Sequence, residues 1–216
     1  MEKDFWIKVW NEGKIGFHRS DVHEKLTSNI LRLSPKEGQT ILVPLCGKSK
    51  DMLYLRSQGL NVRGIELSEI AAQEFFQENQ VSPVEVLEEE NFKVYSSQGL
   101  AISCGDFFKL QASSKYDFIY DRASLVALPK EMRVPYAKIL ISALKSSGKY
   151  LLITYEFASG AITSPPHSVD LEEVHRLFGE ALEIELISKE RPLHDGPRMT
   201  ADSSIVECVY LLTPRS

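Results

Sequence analysis

Thr40-Ile41-Leu42-Val43-Pro44-Leu45-Cys46-Gly47-Lys48-Ser49, then Met52, Leu53 and Leu55, then Asn61-Val62-Arg63-Gly64-Ile65-Glu66: this stretch decides the fold. Residues 40–45 form a short apolar run, the pattern of a strand buried on both faces. Cys46–Ser49 reads as a turn, and the apolar residues after it lead a helix that stops near Gly59. Residues 61–66 are a second strand. Strand, turn, helix and strand in that order make a βαβ unit, the building block of a parallel sheet.

Working outward, the same alternation repeats. Residues 20–33 read as a helix capped by Ser20, with Val22, Leu26, Ile30 and Leu33 at helical spacing and Ser34-Pro35 as its end. Ser68 caps a helix through Ala71, Ala72, Phe75 and Phe76 to about Asn79, as a simple cap and not a capping box. Residues 84–98 follow no clear pattern. Strands are expected at 100–104, 116–121 and 149–154, with helices at 131–144 and 168–179. The last two strands, 181–187 and 205–212, have no helix-length segment between them, so they form a closing antiparallel pair. The predicted architecture is a doubly wound α/β fold with a mainly parallel seven-stranded sheet and a closing antiparallel strand. It occupies one domain, residues 1–216.

Bulk properties narrow the function. Hydrophobic residues make up 43% and charged residues 25%, a globular balance. A net charge of −5 argues against nucleic acid and anionic membrane surfaces as partners. The opening MEKDFWIKVW carries acidic residues and no central apolar run, which excludes a signal peptide there. Cys46, Cys104 and Cys208 are far apart and form no CxxC pair, so neither a disulfide framework nor a metal site is expected. The expected location is the cytoplasm.

Gly47-Lys48-Ser49 looks like the end of a phosphate-binding loop, but that loop needs a glycine where Leu42 stands. The dinucleotide fingerprint is also absent, because position 45 is Leu. Glu66 ends the second strand twenty residues after Cys46. A carboxylate there accepts hydrogen bonds from ribose hydroxyls, or else it is a solvated strand end. Asp106-Phe107 follows the third strand, where a polar group and an aromatic can take an adenine; a turn with core phenylalanines is the plainer alternative. Asp121-Arg122 ends the fourth strand and reads either as a cap beside an anion-holding arginine or as a surface ion pair. Trp6 and Trp10, with Phe17 and His18 after them, either close over the site as an N-terminal helical lid (residues 1–33) or pack one face on the core.

Taken together these pieces resemble the thiopurine S-methyltransferase family, in its bacterial form. The likeness lies in Trp10–His18 (WNEGKIGFH), Val43–Met52 (VPLCGKSKDM), Gly64–Ser68 (GIELS) and Tyr120–Leu128 (YDRASLVAL), then in Ser164-Pro165-Pro166, Arg176–Gly179 and Tyr210–Thr213. It spans nearly the whole chain. The resemblance implies a class I methyltransferase that uses S-adenosylmethionine as cofactor. It places Trp10, Leu45, Glu66, Asp106, Phe107 and Arg122 at the cofactor, Phe17 in the acceptor pocket, and Arg122 also at the acceptor as the catalytic residue. Arg191 and Arg198 receive no role, because the match between 190 and 203 is poor. The implied reaction methylates aromatic or heterocyclic thiols such as thiopurines. Alternatives are another small acceptor (a tellurium or selenium metalloid species, a halide, an endogenous thiol) and a non-catalytic cofactor-binding module. A thiol reacts as its thiolate, and a heteroaromatic thiol ionises readily, so no strong protein base is required. With no zipper or apolar repeat, a monomer is expected.

Overall fold

The computed structural model describes residues 3–82, 84–111, 115–158, 165–192 and 204–215. Two compact units divide the chain after Gln111.

The first unit contains α1 (Lys3–Asn11), α2 (Glu24–Leu33), β1 (Thr40–Val43), α3 (Asp51–Ser57), β2 (Asn61–Glu66) and α4 (Glu69–Glu78). It ends with β3 (Glu85–Glu88), β4 (Lys93–Ser97) and β5 (Leu100–Cys104). Its strands lie in the order β3-β4-β5-β2-β1. The β1/β2 and β2/β5 pairs are parallel, whereas β3/β4 and β4/β5 are antiparallel. Ile41 and Leu42 of β1, Met52 and Leu55 of α3, Ile65 of β2 and Phe75 of α4 are all buried, which explains the unbroken apolar run of β1. Ser68 caps α4 by accepting from the Ala71 N–H, as its position predicts.

Two expectations need correction here. Among the described residues the strands number nine rather than seven, because residues 85–97 form β3 and β4. All four β3 residues are exposed, so no alternation marked that strand. The cap of α2 is His23, whose Nδ1 accepts from the Lys25 N–H at 3.2 Å, and not Ser20. A tertiary contact fixes that start: the His23 N–H donates to Asp51 Oδ1 at 2.8 Å.

The second unit contains β6 (Tyr116–Arg122), α5 (Lys130–Ala143), β7 (Leu144–Glu156), α6 (Leu171–Phe178), β8 (Leu182–Glu190) and β9 (Val206–Pro214). Its strand order is β6-β7-β9-β8. The β6/β7 pair is parallel, and β9 runs antiparallel to both β7 and β8, which is the expected closing arrangement. Arg133 is the largest buried side chain of α5. It donates to Leu128 O at 2.9 Å, Ser168 O at 3.1 Å and the Glu173 carboxylate at 2.6 Å. These three contacts give the buried cation oxygen acceptors, the condition under which a charge is tolerated inside. Among the described residues no helix is long and apolar enough to cross a membrane.

Candidate functional site

In the first unit the turn from β1 to α3 is the centre of the site. Leu45 and Gly47 both have positive φ, 44° and 54°. For leucine this conformation costs roughly 1 kcal/mol or more, strain of the kind that collects at functional sites. Gly47 is required twice over: a Cβ there would sit 3.2 Å from Trp10 Cζ2 and would also have to adopt φ of +54°. The turn is pinned to β2 by the Cys46 N–H, which donates to Ile65 O at 2.9 Å.

Its geometry delivers the Gly47 N–H to Glu66 Oε2 at 2.8 Å, while the Ser68 N–H reaches Glu66 Oε1 at 2.8 Å. Glu66 is buried, with 6% exposure, so the solvated-carboxylate reading fails. Burial pushes its carboxyl above the ordinary glutamate value, and the amides of Ser68, Gly47 and Leu67 offset part of that rise. Each carboxylate oxygen accepts one of these two N–H bonds and has capacity for another. Two hydroxyls on adjacent carbons match that remaining capacity, so the residues present suit a ribose.

The aromatic segment stands beside this turn. Trp10 is buried and meets Phe17 edge to face at 5.7 Å, and Trp6 meets Phe17 at 5.6 Å. The two tryptophans therefore clasp Phe17 from α1. On the other side, the Gly105 N–H donates to Glu66 O at 2.8 Å, which places Asp106 next to the end of β2. Asp106 accepts from the Phe108 N–H at 3.0 Å and pairs with Lys3 of α1 at 2.6 Å. Phe107 is buried. Trp10, Leu45, Glu66, Asp106, Phe107 and Phe17 all belong to this unit.

Cys46 and Cys104 lie close to Glu66. Burial, and then the Glu66 charge, pushes the Cys46 thiol far up and the Cys104 thiol up to about 12. Neither ionises near neutral pH, so neither is an available nucleophile.

The sequence alone gives Gly64 no role of its own. A Cβ at that position would lie 2.6 Å from Cys46 Sγ and 3.0 Å from Met52 Sδ. Gly64→Ala is therefore expected to displace the turn and destabilise the protein by about 1–3 kcal/mol, as overpacking does. Thermal melting checks this, and a melting temperature equal to that of the parent would refute it.

In the second unit, Asp121 and Arg122 end β6. Asp121 is buried and accepts from Tyr136 and Tyr150 hydroxyls, both at 2.7 Å, and from the Leu125 N–H at 3.1 Å. Asp121 is fully buried on these partners, so it is not half of a surface ion pair, and strand alternation directs Arg122 to the opposite face. Ala123 follows with φ of 61°, turning the chain away directly after Arg122. Arg191 is exposed just past β8. Ser164 and Arg198 lie outside the described residues.

Comparison with known proteins gives concordant results. A family model described as thiopurine S-methyltransferase (TPMT) matches residues 1–215. A thiopurine S-methyltransferase of Nitrosospira multiformis is 38% identical over 220 residues, covering all of both chains. One from Pseudomonas fluorescens is 40% identical, covering 91% of this chain and 90% of its own. Among solved structures, TehB from Haemophilus influenzae aligns with a TM-score of 0.63 at 16% identity, over 99% of this chain and 67% of that one. A Burkholderia thailandensis 1,6-didemethyltoxoflavin-N1-methyltransferase, solved with S-adenosylhomocysteine, aligns with a TM-score of 0.68 at 14% identity, over 99% and 87%. Similarity at those identities is similarity of fold.

Proposed function

The chain belongs to the thiopurine S-methyltransferase family, and we propose that it transfers a methyl group from S-adenosylmethionine to an aromatic or heterocyclic thiol, as that membership indicates. The structural observation that carries this reading furthest is Glu66, a buried carboxylate fixed by two backbone N–H groups and still able to accept two hydroxyls. When bound, the cofactor supplies a methyl group already activated on a sulfonium. The protein is left with orientation and the exclusion of water.

Each residue has a share of that work. Glu66 holds the ribose. Leu45 and Trp10 frame the pocket beside the turn, and Asp106 with Phe107 flanks the adenine. Phe17 lines the acceptor side under the two tryptophans. Arg122 contacts the cofactor and stabilises the anionic acceptor. The reacting thiolate belongs to the acceptor on this reading, and burial keeps the Cys46 and Cys104 thiols protonated.

The family match over residues 1–215 supports one methyltransferase domain. Residues 1–33 are its N-terminal lid segment on this reading. The protein acts as a monomer on this reading. Glu85 and Glu88 line the exposed edge strand β3, and like charges there oppose pairing with a second copy. Three free, buried thiols suit the cytoplasm.

The test is transfer of labelled methyl from S-adenosylmethionine to 6-mercaptopurine, beside tellurite, selenite, iodide and small aliphatic thiols. Methylated thiopurine is the expected product. Methylation of a metalloid or halide without any thiol product would replace the proposed acceptor. Cofactor binding with no transfer to any acceptor would reduce the chain to a binding module.

A further inference from the structure

We propose that Lys48 is a positioning residue: it latches the β1–α3 turn onto α4 and so sets the Gly47 N–H against Glu66. The inference rests on the reading of Glu66 as the ribose-holding carboxylate. It also gives a role to Gly47-Lys48-Ser49, the triplet that mimics a phosphate loop.

The Lys48 side chain is only 8% exposed, and its Nζ lies 2.7 Å from Glu74 Oε2 and 2.7 Å from Glu78 Oε1. An ammonium is rarely buried unless it is paired. Glu74 and Glu78 are one helical turn apart on α4, so a single cation reaches both. Burial alone would weaken the Lys48 charge, but the two carboxylates overcome it and hold the ammonium above its ordinary value. The lysine is thus committed to protein carboxylates where a phosphate loop would aim it at a ligand.

Its position in the chain gives the latch its effect. Lys48 directly follows Gly47, in a turn with two positive-φ residues out of three. Such a turn does not keep its shape through local preference alone. The Glu66 carboxylate takes one N–H from the turn (Gly47) and one from the residue capping α4 (Ser68). Lys48 ties together these same two segments. Losing the tie frees the turn to relax and misdirects the Gly47 N–H, so the carboxylate is less well fixed for a ribose.

The experiment is titration with S-adenosylhomocysteine, together with steady-state kinetics, on Lys48→Met, Lys48→Arg and the Glu74→Gln/Glu78→Gln pair. Lys48→Met is expected to weaken binding about tenfold and raise the KM for S-adenosylmethionine similarly, with kcat held within about twofold. Lys48→Arg should recover most of the loss. The glutamine pair should lose about as much as Lys48→Met, and combining them should add little, because both break one interaction. If Lys48→Met fails to melt cooperatively, the glutamine pair carries the test. Wild-type affinity in a folded latch variant, or a fall in kcat with KM unchanged, would overturn the proposal. Glu66→Ala measured in parallel separates the two ideas. If it binds like the parent, the ribose reading itself fails; if it alone is weakened, only the latch fails.

Discussion

Glu66→Ala is expected to lower affinity for S-adenosylhomocysteine about a hundredfold while leaving a folded protein. Two hydroxyls bonded to one buried carboxylate contribute charge-assisted hydrogen bonds of roughly 1.5–3 kcal/mol each, and about 2.7 kcal/mol is already a factor of a hundred. Glu66→Gln should lose nearly as much. Whichever way its amide turns, the NH2 meets an N–H donor, from Gly47 on one side or Ser68 on the other. Isothermal titration measures the loss, and binding within threefold of the parent would remove Glu66 from the site.

The raised carboxyl value adds a pH signature with two opposite signs. Protonation favours the folded chain when the folded value lies above the unfolded one. Relative to Glu66→Gln, the free protein should therefore be most stable at low pH and lose that advantage as pH rises through the raised value. The proposed ribose contact uses the ionised form, so affinity should fall as pH drops through the same value. Denaturant melts and titrations from pH 4 to pH 8 separate the two.

The readable part of the sequence was the part in which local pattern and tertiary role coincide. Residues 40–45 are apolar because β1 is buried, and Ser68 looks like a cap because its hydroxyl meets a free N–H. Glu66 was legible as a strand-end acid, since the end of a parallel strand is where ligands bind. Other features carried no local mark. The residues of β3 are exposed on both faces, so burial imposed no alternation on them. His23 caps α2 with a ring nitrogen, at a start fixed by Asp51, twenty-eight residues away in sequence. Gly64 is a glycine because of Cys46 and Met52, neighbours that only the fold supplies. Lys48 resembled a phosphate ligand because the triplet around it is short, and its partners lie on a later helix. Asp121 and Arg122 looked like one ion pair, yet strand alternation assigns them to different faces.

That separation underlies the second large effect, which concerns Arg122. Asp121 anchors the end of β6 through two tyrosine hydroxyls and the Leu125 N–H, so the backbone at Arg122 is rigid. The positive φ of Ala123 turns the chain immediately afterwards. On the proposed reading, in which Arg122 faces the anionic acceptor, its backbone is held in place before the acceptor arrives, and donors aimed at charge are worth most in a site that excludes water. Arg122→Ala should therefore lower kcat toward 6-mercaptopurine about a hundredfold, the scale of losing one such donor. Affinity for S-adenosylhomocysteine should fall by a smaller factor, about threefold to tenfold, since the proposed ribose contact at Glu66 is left in place. Arg122→Lys should recover little, because a point charge does not replace a planar fork of donors. A variant with undiminished turnover would show that the acceptor is held elsewhere. One that loses cofactor affinity and turnover in equal measure would assign Arg122 to the cofactor alone.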